Sequence, residues 1–372
     1  MATARSHGEV GLDTESLARV FDSTTNSYKF LLFLGLLDAL AERPESAAFP
    51  LREVLAHGLA RALRPVQVFR LRLGGQDQVV DWLRTTNADP EAPRLTLARS
   101  LHIPDAVLEG MARYVPTRLL RPFFADQLRG VPDHQVDNRI RALSLESGSL
   151  PLYRLRPEPG AGRSRASHAL ELPAPWRAHL KANWPILEGW ALYRWVQYLQ
   201  VRNPFAPAIA AKLEPPERRA ALTEQRAYWA PLLRQGFRCI YSRQPVGLAD
   251  PLDHFVPWSF VGTDSIWNLV PVSRSSNSEK ADRLPDWKSH GSELVRAHVQ
   301  ALMHLREKVS PAEFERLTEA FVVDLRMQPE VLREAGQQRL GSEVSRALEH
   351  AVVPLLESAR LQGFEPWSSG HA

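Results

Sequence analysis

Apolar residues recur at helical spacing toward both ends of the chain, and the pattern breaks in one central stretch. Leu17, Val20 and Phe21, then Phe30, Phe33, Leu34 and Leu37, follow the three- and four-residue steps of an α-helix. The run SYKFLLFLGLLDALAE predicts a buried core helix. Its most apolar part, Phe30 to Leu37, is bounded by Lys29 and Asp38 and is far shorter than the roughly 20 residues that cross a bilayer, so no membrane insertion is expected. A second helical stretch with polar breaks runs from Val54 to Leu83, after which Pro90, Pro93, Pro104, Pro116 and Pro122 punctuate shorter elements. Ser149 to Leu155, SLPLYRL, alternates like a short strand or hairpin, and Arg156 to Ser167 reads as an exposed loop. In WPILEGWALYRWVQYLQ, the residues Leu187, Trp190, Ala191, Tyr193, Trp195 and Leu199 predict a helix apolar over most of its circumference. Such a helix is expected to be buried in its own domain, the alternative being aromatics that stack on nucleic-acid bases.

Breaks at Asn203-Pro204 and Pro215-Pro216 precede a charged helix, ERRAALTEQRAYWAPLL, that leads to Phe237. From Phe237 to Pro285 the helical period gives way to short β-prone runs, turns and clustered polar groups. Amphipathic helices return between Ser292 and Phe364, in ELVRAHVQALMHLRE, AEFERLTEAFVVDL and SEVSRALEHAVVPLLES. No repeat at a fixed period is evident. The expected class is therefore α+β: mainly helical N- and C-terminal regions around a small mixed module. The boundaries fall at 1–235 for an N-terminal domain that binds nucleic acid or a partner or regulates, 236–290 for the module, and 291–372 for a C-terminal helical region.

Composition sharpens this picture in three places. With 44% hydrophobic and 24% charged residues over 372, the chain has the make-up of a globular protein, which excludes a disordered tail or a mini-protein. The 46 basic residues barely exceed the 42 acidic ones, so any nucleic-acid footprint must be a local patch. The stretch holding Arg113, Arg118, Arg121, Arg129, Arg139 and Arg141 is the expected place for phosphate contacts, the alternative being a solvated arginine-rich surface. Cys239 is the single cysteine, which rules out an internal disulfide and, by itself, a four-cysteine zinc site. A reducing, cytoplasmic location is expected, and the first twenty residues lack the features of a signal peptide. The sequence also lacks a phosphate-binding Gly-x-x-x-x-Gly-Lys-[Ser/Thr] loop, so ATP hydrolysis is not expected.

The candidate chemistry lies in the central stretch. Asp253-His254 is followed by Asn268 and Asn277, 14 and 23 residues beyond His254, and then by Lys280. This order, within DHFVPWSF, WNLVPVSRSSN and SEKADRLP, resembles HNH endonucleases of the ββα-metal class, and its spacing is similar to that of the HNH domain of RNA-guided CRISPR effector nucleases. The resemblance implies a strand over Leu252 to Val256, a second over Leu269 to Val272, and a helix over Ser275 to Arg283, with a metal between them. Hydrolysis of a phosphodiester needs a base for the attacking water and positive charge near the phosphoryl and leaving oxygens. An imidazole can be neutral at physiological pH and so suits the base, here His254. Asp253 and Asn277 are the expected ligands, and their oxygens suit Mg²⁺ or Mn²⁺. Because neighbours on a regular strand point to opposite faces, a twist or bulge must bring Asp253 and His254 to one cleft. The resemblance assigns Asn268 to the backbone of the loop, where it fixes His254. Lys280, one turn after Asn277, is expected to meet a phosphate.

No structural zinc is expected: many HNH proteins carry two Cys-x-x-Cys pairs around this hairpin, whereas here Cys239 is followed by Ile-Tyr-Ser. Cys239 is expected to be a buried small hydrophobe. The combination of TNSYKFLLFLGLLD with CIYS, DHFVPWSF and WNLVP is similar to standalone bacterial HNH proteins of anti-phage defence loci, including the nuclease component of some Zorya systems. DNA is the preferred substrate; one HNH centre cuts one strand per event, so a monomer is expected to nick, and the defence-locus resemblance implies defence-system partner proteins. Cleavage of structured RNA, or a binding protein with an idle HNH fold, are the alternatives. A competing nuclease pattern, PD-(D/E)-x-K, could be drawn from Pro285-Asp286-Trp287-Lys288 with Asp264 upstream, but its position after a proline favours a solvated loop. His290, His298 and His304 are poorly spaced for one metal and are expected at the surface.

Overall fold

A computed structural model of the chain describes residues 11–75, 78–158, 164–214 and 221–368. Residues 159–163 of the expected loop, the Pro215-Pro216 break and the first ten residues of the N-terminus lie outside that set. The architecture is α+β, with helices around several small sheets. The chain forms two compact units, Met1–Asn203 and Pro204–Ala372.

In the first unit the helix Tyr28–Glu42 buries every residue from Phe30 to Leu37 and packs on the helix Leu51–Gln67. The crossing is close because two glycines face it. A Cβ on Gly35 would lie 2.1 Å from the Val54 carbonyl oxygen, and one on Gly58 would lie 2.2 Å from that of Leu31. A three-stranded antiparallel sheet has His168–Glu171 at its centre, between Ala48–Pro50 and Arg154–Pro157. The tryptophan-rich helix Trp184–Arg202 differs from expectation. It buries only Ala191, Trp195 and Leu199, while Ile186, Tyr193 and Val201 are 72%, 61% and 70% exposed. The three buried positions are four residues apart and form one stripe against the Tyr28–Glu42 helix; Trp190 and Tyr198 flank it, half-buried against Phe21, Phe33 and Phe30, while Ile186, Tyr193 and Val201 face outward.

The second unit begins well before the boundary expected after residue 235. Tyr228, Trp229 and Leu232, on the helix Thr223–Gln235, share one core with Leu294, Leu302, Phe321 and Val344. That helix therefore belongs with the central module. No break follows residue 290 either, since the strand Leu284–Pro285 pairs in parallel with Pro366–Trp367. The helices Trp287–Lys308, Pro311–Val323 and Gln337–Leu361 complete the unit. Among the described residues, no helix is long and apolar enough to cross a membrane.

Candidate active site

The strands Leu252–His254 and Leu269–Pro271 pair antiparallel, with Asp253 opposite Val270 and His254 opposite Leu269. The chain then enters the helix Arg274–Lys280, whose first turn is capped by the Ser273 hydroxyl accepting from Ser276 N. Because the first strand ends at His254, Asp253 and His254 both reach one open cavity of about 480 Å³, which Asn277, Trp258, Ser259 and Asp282 also border. A larger cavity of about 730 Å³ in the first unit, bordered by Tyr28, Arg72 and Arg84, holds none of these candidates.

Asn268 is 1% exposed and acts as a clip. Its Oδ1 accepts from Val256 N at 2.8 Å, its Nδ2 donates to Val256 O at 2.9 Å, and its own carbonyl accepts from Phe255 N at 2.8 Å. The two residues after His254 are thereby tied to the second strand. Lys280 does not match its expected role at a phosphate. It is fully buried, and its Nζ donates to Asp253 Oδ1 at 3.1 Å and to the His254 carbonyl at 2.8 Å. The short helix packs against the hairpin, so the lysine stem runs inward and its charge serves as the internal counter-ion of Asp253.

Two participants escaped the sequence reading. The Tyr241 hydroxyl donates to Asp253 Oδ2 at 3.0 Å, and Asp264 Oδ1 lies 2.8 Å from His254 Nε2. Tyr241 stands in the Cys-Ile-Tyr-Ser turn, where only its proximity to Cys239 singled it out. In the sequence Asp264 reads only as an upstream partner for the Asp-x-Lys pattern. Asp253 is 5% exposed, and burial pushes its carboxyl above its ordinary value although Lys280 and Tyr241 pull it down.

These donors fit a hard divalent cation. An Asp253 carboxylate and an Asn277 amide border the same cleft as His254, and each Asp253 oxygen, with one protein donor, keeps a further lone pair. Among the described residues no three His, Cys, Asp or Glu side chains gather as a metal cluster, so water and phosphate oxygens would complete the shell.

Cys239 is buried in the hydrophobic core of the second unit as expected, and its thiol also meets a cluster of hydroxyls. Its Sγ is 3.6 Å from Ser276 Oγ, Ser276 is 2.9 Å from Ser273 Oγ, and Ser273 is 3.2 Å from Ser242 Oγ. Burial works to raise the thiol, yet hydrogen bonds involving Ser242, Ser273 and Ser276 outweigh it and bring it below its ordinary value. Asp286 is neither a catalytic acid nor part of a free loop. It caps the helix Trp287–Lys308, its Oδ2 accepting from Ser289 N at 2.9 Å.

The histidines on that helix are not at the surface. His290 is 8% exposed, His304 is half-buried, and His298 is fully buried because its face of the helix packs against Tyr228, Trp229 and Phe321. His298 Nε2 donates to the Trp267 carbonyl and the Tyr228 hydroxyl meets Nδ1, each at 3.1 Å, which pins the turn that carries Asn268. Burial lowers its pKa to about 3. The folded state thus disfavours protonation. This contribution to stability is present above the unfolded value of 6.5 and is lost as pH falls toward 3. Denaturant unfolding should show the second unit weakening by several kcal/mol over that window, with a shallower slope in His298→Gln. Equal slopes in the two proteins would place the acid sensitivity elsewhere.

The arginine stretch lies in the first unit and is less free than its sequence suggests. Arg118 pairs with Asp133 at 2.9 Å and Asp137 at 3.0 Å, Arg129 with Asp126 at 2.8 Å, and Arg139 with Glu146 at 3.6 Å. Arg113 lies 4.9 Å over the Tyr114 ring, and Arg141 is half-buried. Arg121 is exposed. Acidic partners, some of them on a neighbouring element, offset three of the six arginines of the expected basic footprint.

Residues 239–286 match the family model described as HNH endonuclease. The match places an HNH endonuclease domain, of the nuclease class of hydrolases, in that segment. Searches of curated proteins and of solved structures return no match.

Proposed function

We propose that the chain is a metal-dependent HNH endonuclease that hydrolyses phosphodiester bonds in DNA and nicks one strand per event. What supports this reading is the convergence of Asp253, His254 and Asn277 on one cleft, with Asn268 clipping the backbone just beyond His254. His254 takes the proton of the attacking water. Asp253 and Asn277 would hold Mg²⁺ or Mn²⁺, which would supply positive charge for the phosphoryl and leaving oxygens. The first unit supplies contacts to nucleic acid or to a partner protein. A role in bacterial anti-phage defence follows from the resemblance to defence-locus HNH proteins.

The test is incubation of the purified full chain with supercoiled plasmid and, separately, with a structured RNA. Plasmid should be converted to open circles in Mg²⁺ or Mn²⁺, stop converting in EDTA, and resume when metal is returned. Cleavage undiminished by chelator would remove the metal from the reading. Cleavage of RNA alone would change the substrate, and no cleavage of either would leave a binding protein with an idle fold.

A further inference from the structure

We infer that Asp264 is a positioning residue for His254: its carboxylate accepts the Nε2 proton, holds the ring in one tautomer and direction, and leaves Nδ1 as the nitrogen that receives a proton from water. The inference rests on His254 being the base. His254 Nε2 and Asp264 Oδ1 are 2.8 Å apart, and the two side chains are 10% and 23% exposed. An ionised carboxylate only accepts hydrogen bonds, so at that distance a neutral imidazole must carry its hydrogen on Nε2. The lone pair is then on Nδ1, which makes no hydrogen bond among the described residues. A base whose free nitrogen is set in advance needs no ring flip before it acts.

Asp264 is itself held. Its carbonyl accepts from Gln225 Nε2 at 2.9 Å, which anchors it to the helix Thr223–Gln235. Four residues on, Asn268 N donates to the Ser265 carbonyl at 3.0 Å, closing the short turn that joins the two residues. One segment therefore carries two clamps. Asp264 grips the His254 ring, and Asn268 grips the backbone at Val256. Lys280 also holds the His254 carbonyl, at 2.8 Å.

Asp264→Asn keeps the size of the side chain, but its amide can donate to Nε2 and so stabilise the tautomer with hydrogen on Nδ1. Its expected kcat is lower by about 10- to 100-fold, the usual cost of losing an orienting partner, with KM within about twofold and an unchanged melting midpoint. Asp264→Glu, which retains a carboxylate, should recover part of the loss. The readout independent of cleavage is ring-¹⁵N NMR of the metal-free full chain, recorded on the alkaline plateau of the ring shifts. The His254 signal, assigned by its disappearance in His254→Gln, should report hydrogen on Nε2 in the wild type and a shift toward Nδ1 in Asp264→Asn. A wild-type ring with hydrogen on Nδ1, or tautomers indifferent to Asp264→Asn, overturns the inference. If the wild type cleaves nothing, the proposed function falls while the ring spectrum still decides the role of Asp264.

Discussion

His254→Ala should reduce cleavage by about 10² to 10⁴ while leaving the second unit folded, because removing a general base typically costs that much in rate. The side chain is buried, 8% exposed, but it borders an open cleft, so water can fill the space it leaves. Its ring nitrogen partner, Asp264, is 23% exposed and can be rehydrated once the imidazole is gone. The backbone it leaves behind is still held by Asn268 and Lys280. Single-turnover nicking rates, compared alongside melting midpoints, separate the two effects. A folded His254→Ala protein that nicks near the wild-type rate would remove His254 from the chemistry.

Lys280→Met should do the reverse, with its first effect on stability. The ammonium is fully buried and is the cation beside a carboxylate that is itself only 5% exposed. Breaking a buried ion pair by removing one member typically costs about 3 to 5 kcal/mol, because the remaining charge stays out of water without compensation. The His254 carbonyl also loses a donor at 2.8 Å. Urea unfolding of the variant should show a midpoint shift of that order. Adding Asp253→Asn should recover part of it, since a neutral amide no longer needs the cation. Equal stability in Lys280→Met and wild type would mean that the pair is not formed in solution.

The strand-strand-helix core of the site was legible because it is local. Asp253, His254, Asn268 and Asn277 lie within one short hairpin and helix, where residue spacing nearly determines which groups can meet. The direction of Lys280 was not legible. Helical spacing places it on the face of Asn277, but whether that face meets solvent or the hairpin depends on how the helix docks. Tyr241 and Asp264 reach the site from a preceding turn and an intervening loop, and no periodic signal links either to its partner. Apolar content misled in the same way for Trp184–Arg202. Counting hydrophobic residues says nothing of how many neighbours exist to cover them, and here one stripe is covered. The first core helix was easier, since a run of buried residues on every side leaves no such choice.

The hydroxyl knot of Ser242, Ser273 and Ser276 around Cys239 joins the turn before the hairpin to the helix after it. Neutral hydrogen bonds make that join, and its one sulfur is fully buried. Peroxide acts on exposed thiolates, and a join built from metal-bound thiolates would open as they oxidise. This one presents three groups that do not oxidise under such conditions and a fourth that solvent does not reach. The join between the turn and the helix thus holds no metal-bound thiolate whose oxidation would open it.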